Sequence, residues 1–266
     1  MRSTWEFWAA TVAVSCLFGR AAHALEQGRR NAVGLSLAGG IRSQRDEGFN
    51  NTRYAGPLGS FALSYTRFGE VDRHHVELGG GGGLGHNRYA RPLLWIDLGL
   101  RYDYRRVVVG ETVRLWLGAS AGGGPGLYQF RAEDSDHVRW LTLYDFAANA
   151  MIDWRTRDSK GRTHSLEAAI ELPLVGIVSQ SPIVVTYNND KPDLGYLLGR
   201  AHSSPKFAAL HDVQAVRLDL GWRLRLTPVL EQRVGYRPSY VHATAVAPFA
   251  AWTHLLVYRL DFRFGP

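Results

Sequence analysis

The chain has 266 residues, of which 45% are hydrophobic and 21% charged, and a formal net charge of +7. A single cysteine excludes an internal disulfide framework or a cysteine metal site, and past the first residues no long uninterrupted apolar run exists, which excludes a helical membrane protein. The basic balance does not point to nucleic acid, because the arginines alternate with apolar residues along the chain instead of forming a patch.

Residues 1–24 read as a signal peptide. Arg2 precedes an apolar stretch, 5–19, that is interrupted by Glu6 and is shorter than the ~20 residues of a bilayer-spanning helix. Ala22-His23-Ala24 then supplies a small-x-small cleavage pattern. Residues 25–266 are left as one domain, and Cys16 departs with the leader.

From residue 31 the chain alternates with the two-residue period of a strand. The first strand, 31–42, carries Val33, Leu35, Leu37 and Ile41 on one face, and a polar, turn-rich loop spans 43–57. Strand 58–68 sets Phe61, Leu63 and Tyr65 outward, and 69–70 lead into 71–81, with Arg73, His75 and Glu77 inward. After a glycine-rich loop to residue 92, strand 93–106 opposes Leu94, Ile96, Leu98, Leu100, Tyr102 and Tyr104 to Asp97, Arg101, Asp103 and Arg105. The link 107–110 leads to strand 111–122, with Arg114 inward, and 123–137 is expected to be loop. Strand 138–155 is expected to turn Val138, Trp140, Tyr144, Phe146, Ile152 and Trp154 outward against Arg139, Asp145, Asp153 and Arg155. The turn 156–163 precedes strand 164–178, with Glu167 and Glu171 inward. The longest link, 179–212, follows. Strand 213–226 has Arg217, Asp219, Arg223 and Arg225 inward, and 228–241 has Glu231 and Arg233. The last strand, 252–264, sets Arg259, Asp261 and Arg263 against Trp252, His254, Leu256, Tyr258, Leu260, Phe262 and Phe264.

A row of Arg, Asp and Arg facing an unbroken apolar row suits a strand between lipid and a polar lumen. The fold class expected is all-β, an antiparallel transmembrane β-barrel of about ten strands. Its links alternate long and short, which places short turns and both termini in the periplasm and long loops outside. Segments 183–187 and 194–198 offer an alternative of twelve strands, as an extra hairpin in the longest link. A ten-stranded barrel is only slightly wider than the eight-stranded kind that side chains fill. The inward arginines and carboxylates nearly match in number, and the planar fork of Arg grips carboxylates in a confined space. An ion-pair network that plugs the lumen is therefore expected, not a wide channel.

Other motifs are weaker. Gly80 to Gly85 matches Gly-x-Gly-x-x-Gly without the helix that a dinucleotide site requires, so it reads as room for strand curvature or for neighbouring aromatics. His74 and His75 point to opposite faces and cannot chelate one metal together. At the outer rim, Asp134, Asp136 and His137 end one loop, and Asp190, Asp193, His202, Ser203, Ser204, His211 and Asp212 lie in the longest link. No complete motif calls for a cofactor or a metal.

The ending that contains Tyr258, Leu260, Phe262 and Phe264 resembles the C-terminal signal by which bacterial outer-membrane β-barrel proteins are recognised for assembly. That resemblance implies residence in the bacterial outer membrane, with outer-membrane lipid and the assembly machinery as partners. His202-x-Ser204 resembles the His-x-Ser fragment of outer-membrane phospholipases and lipid A deacylases, which implies a His base and a Ser nucleophile. The acidic and histidine-rich rim is similar to that of the omptin proteases. The function expected is non-enzymatic: a plugged barrel whose outer loops bind a surface ligand or partner, or gate a narrow path. A rim hydrolase of lipid or peptide, using His202 and Ser204, is the alternative.

Overall fold

A computed structural model describes residues 30–47, 52–89, 91–110, 112–131, 136–159, 161–181, 185–187, 199, 202, 205–245 and 247–265. The proposed leader, 1–24, and segment 194–198 lie outside the described residues. The strands are β1 (Asn31–Asp46), β2 (Arg53–Phe68), β3 (Asp72–His86), β4 (Pro92–Val109), β5 (Val113–Arg131), β6 (Asp136–Arg157), β7 (Thr163–Gln180), β8 (Val185–Tyr187), β9 (Lys206–Ala209), β10 (Val213–Arg225), β11 (Leu230–Ala243) and β12 (Phe249–Phe264).

Ten of these, all but β8 and β9, form a closed antiparallel barrel. Each strand from β1 to β6 pairs with the next, β7 pairs with β10, and β12 returns to β1 in a register that sets Asn31 opposite Phe264 and Asp46 opposite Phe249. Closure satisfies every strand edge, which a sheet in hydrocarbon needs because no water can pair a free N–H or C=O there. The first and last strands therefore begin and end at one rim, called here the terminal end; the other is the loop end. Of the extra hairpin offered by 183–187 and 194–198, only 185–187 lies among the described residues. Its described part is β8, which pairs along the loop end of β6, while β9 pairs with β7 beyond the reach of β10.

The alternation in the sequence becomes the inside and outside of the wall. Along β1, Val33, Leu35, Leu37 and Ile41 are exposed, while Ala32, Ser36, Arg42 and Gln44 are buried. On β12, Tyr258, Phe262 and Phe264 face out with Leu260 half-buried between them, and Arg259 and Asp261 are buried. The outer surface is thus a belt of exposed aliphatic and aromatic side chains.

Strands run further toward the loop end than the sequence pattern suggests. Residues 43–46, 53–57, 82–86 and 123–131 are strand, although each was expected in a loop. A tilted strand needs only about 9–11 residues to cross a bilayer, so a 22-residue β6 continues well past it. There the apolar alternation fades, but the backbone still seeks its partner strand. Val138 and Trp140, expected on the outer face, are buried instead, where the chain returns alongside as β8 and Ser181 N–H donates to the Trp140 carbonyl. Prolines fall at or beside interruptions of the ladders, as residues without an N–H must. Pro173 adjoins the bulge between β6 and β7, Pro125 lies where the β4–β5 ladder skips, and Pro238 lies where β10–β11 skips. Gly123, which borders the same gap as Pro125, has φ +136°, which a side chain tolerates poorly.

The belt makes a depth-dependent prediction. Leu256→Arg, at the centre of β12, should lower stability in lipid vesicles by roughly 2–4 kcal/mol, and Trp252→Arg, nearer the loop end, by about 0–1 kcal/mol. Urea titrations of the refolded variants measure both, and equal costs would mean that no apolar slab surrounds the strands.

Candidate functional site

The enclosed lumen is the site, and it divides along its axis. Inward residues of the central and terminal-end thirds are mostly charged; those at the loop end are mostly apolar, with the Arg139–Asp46 pair among them.

In the charged part, carboxylates serve several arginines at once. Asp145, its side chain 1% exposed, receives Arg101 at 3.1 Å and both ends of the Arg217 fork. Glu171, on the neighbouring strand β7, is shared by the same two arginines. Glu167 receives Arg223 at 2.9 Å and Arg233 at 3.1 Å, and Arg233 continues to Asp219 at 2.6 Å. Arg237 bridges Asp219 at 3.1 Å and Glu77 at 3.3 Å. Nearer the terminal end, Glu231 collects Arg223 at 2.8 Å, Arg263 at 2.9 Å and Arg225 at 3.8 Å. Arg259 with Asp261, at 2.7 Å, and Arg155 with Asp153, at 2.8 Å, are pairs within single strands. Charge-assisted contacts in a confined, poorly screened space are stronger than their surface counterparts. Their value is relative, because desolvating both partners offsets much of the attraction.

Arg73, Asp103, Arg105 and Arg114 also face inward, and all but Arg105 are buried. Arg139 is buried at the loop end and pairs with Asp46 at 2.9 Å. Asp97 pairs with Arg42. Of the two histidines, His75 lies inside, 3.7 Å from Glu77, and His74 outside, its Nδ1 2.7 Å from the Tyr102 hydroxyl. No group of three metal-ligating side chains occurs among the described residues.

The loop end holds an apolar cluster inside the barrel: Tyr54, Leu58, Leu93, Trp95, Tyr128, Leu141, Val178 and Phe249, with small residues between them. Trp95 is its centre and is fully buried. Its indole lies over β3, where a β-carbon at Gly83 or Gly85 would collide with the ring. The glycine run thus makes room for a tryptophan. Arg42 joins the two regions: its guanidinium lies 5.3 Å from the Tyr128 ring and 5.8 Å from that of Trp95, and it donates to the Tyr128 hydroxyl at 3.0 Å. Between the cluster and the ion pairs is a cavity of about 320 Å³, and a second, of about 260 Å³, lies deeper among the arginines.

Sequence reasoning missed Arg42, Asp46 and Arg237. Arg42 and Asp46 have the parity of buried Ser36, and Arg237 that of Arg233; continuing the alternation would have found all three. The apolar cluster left no such trace, because its twelve residues come from nine strands and half of them lie in segments expected to be loops. At the rim, His202 is exposed, its Nε2 2.9 Å from the hydroxyl of Tyr144, an outward residue of β6. Ser204 lies outside the described residues, as do Ser203, Asp134, Asp190 and Asp193. His211 and Asp212 contact each other at 3.2 Å on the turn before β10.

No protein-family model matches the sequence, and a search of curated proteins gives no match. Solved structures do match. The outer membrane protease OmpT from Escherichia coli aligns with 8% identity over 88% of this chain and 97% of that one, with a TM-score of 0.52. The translocator domain of autotransporter NalP from Neisseria meningitidis aligns with 12% identity over 96% and 98%, TM-score 0.45. Neisserial surface protein A aligns with 14% identity over 88% and 97%, TM-score 0.36. The fold is therefore that of bacterial outer-membrane β-barrels.

The shared carboxylates give a direct test of the network. Asp145→Ala should cost on the order of 3–5 kcal/mol, because it strands Arg101 and Arg217 with only Glu171 between them. Denaturant unfolding in detergent measures the loss, and a cost below 1 kcal/mol would mean that water already solvates both arginines.

Proposed function

We propose that this chain is a bacterial outer-membrane barrel with a closed lumen, working without catalysis through a surface ligand or partner held at its loop end. Both termini then lie in the periplasm and the 181–212 link faces the outside. One observation supports this above all: two barriers of different chemistry, the Arg–carboxylate network and the Trp95 cluster, stand in series across the lumen. A ten-stranded barrel has little width to spare, so side chains in two successive layers leave no continuous water column. Function then falls to surfaces outside the lumen. The longest link is the natural candidate, since it latches onto the wall through β8 and β9 and presents Phe207 and Leu210 with most of their surface exposed.

Planar-bilayer recording tests the closed lumen. The wild type should show no steady conductance. Replacing Arg101, Arg217 and Arg259 together with Ala should leave it nearly silent, because the Trp95 cluster still seals the loop end. Adding Trp95→Ala and Phe249→Ala to that triple should open a cation-preferring path lined by Asp97, Asp145 and Asp219. A conducting wild type would overturn the proposal.

Orientation is tested with single cysteines at His211 and Ser159. On intact cells an impermeant thiol reagent should label His211→Cys, and Ser159→Cys only after the outer membrane is broken. The reverse pattern would turn the barrel over.

A further inference from the structure

Of the fifteen inward charges in and beside the deeper cavity, twelve contact an opposite charge among the described residues, and Arg73, Arg105 and Asp103 do not. Eight arginines and five carboxylates line it, and Asp145 and Asp261 reach lining arginines from the side. Arg101, Arg217, Arg223, Arg233, Arg237 and Arg259 each contact a carboxylate. Arg73 and Arg105 do not: among the described residues, no carboxylate oxygen lies within 4.0 Å of either guanidinium. They are direct cross-strand neighbours on β3 and β4, so two like charges sit side by side on the wall.

Their other partners are weak. Arg105 Nη1 donates to the Met151 sulfur at 3.2 Å, and the Arg73 guanidinium lies 5.5 Å from the Phe68 ring. The Nε atoms of both are buried without a hydrogen-bond partner. Arg73 as a whole is 8% exposed. It lies between the deeper cavity, of about 260 Å³, and a smaller one of about 60 Å³ toward the terminal end. On the next rung His75 stands opposite Asp103, and one oxygen of Asp103 is buried without a hydrogen-bond partner. Asp103 offsets one of the two positive charges and leaves the other uncompensated.

We propose that Arg73 and Arg105 form an anion site inside the barrel that holds one inorganic oxyanion, with phosphate as the test ligand. Arg73 and Arg105 come from adjacent strands and both line the cavity, and a guanidinium fork is suited to grip an oxyanion through two N–H donors. The cavity has room for the ion and several waters, each taking about 30 Å³. Burying two neighbouring cations with a single acid beside them is costly, and a resident anion reduces that cost. The proposal builds on the closed lumen, and the two fail separately: an open pore appears as conductance, an absent site as stability indifferent to phosphate.

The experiment is urea unfolding of the purified full chain in a non-ionic, phosphate-free detergent, with sodium phosphate titrated against sodium chloride at matched ionic strength. Above the dissociation constant, each tenfold rise in phosphate should raise the folded-to-unfolded ratio about tenfold, and chloride should not. Arg73→Gln and Arg105→Gln should abolish that dependence. In phosphate-free buffer both should be at least as stable as the wild type, because each removes a like-charge repulsion; Arg233→Gln, which breaks existing pairs, should be less stable. Asp103→Asn should tighten phosphate binding. The site is rejected if phosphate and chloride act alike, if either glutamine variant keeps the wild-type response, or if both lose as much stability as Arg233→Gln without phosphate.

Discussion

Closure of the sheet is the constraint on which the rest depends. A strand edge inside hydrocarbon leaves N–H and C=O groups that nothing can satisfy, so β12 has to find β1. The register that sets Asn31 against Phe264 achieves this along the whole length of both strands. Once the ring is closed, each strand has one face to the lumen and one to the outside, and the cost of charge in lipid sends the Arg and Asp of β4, β10 and β12 inward, apart from Arg106 near the terminal end of β4. The lumen chemistry is thus a by-product of the wall.

What fills the lumen changes with depth for a reason of environment. Within the belt, inward residues have lipid behind the wall and are far from bulk water, so charges persist only by pairing, and carboxylates such as Asp145 and Glu231 are shared among two or three arginines. Toward the loop end the strands continue past the belt, and there the interior resembles a soluble core, with Trp95 and Phe249 buried as they would be in a globular protein. Arg42 belongs to both regions, stacking on aromatics while pairing with Asp97.

The parts of the fold that were legible are those where period-two alternation carries a strong contrast. On β4, Leu98, Leu100 and Tyr102 against Asp97, Arg101 and Asp103 leave no doubt about face or register. The contrast is lost at strand ends. Ser43 to Asp46 look like loop because lipid no longer demands apolar partners there, yet Arg42 and Asp46 keep the inward parity and find Asp97 and Arg139 across the lumen. Val138 and Trp140 fail for the opposite reason: two apolar residues of outward parity are as content buried against protein as in lipid, and alternation alone does not tell the two apart.

The sequence by itself determined that the chain forms a barrel, which side of each strand faces the lumen, and that arginine and carboxylate dominate that side, because these follow from a local repeat of two residues. Tertiary structure alone decided which charges meet. Arg237 reaches Glu77 across 160 positions of sequence, Arg101 and Arg217 converge on Asp145 from two other strands, and Arg73 is left beside Arg105, with no ion-pair contact to either among the described residues. Such pairings depend on the barrel's circumference, tilt and stagger, which are properties of the closed ring and of no single strand.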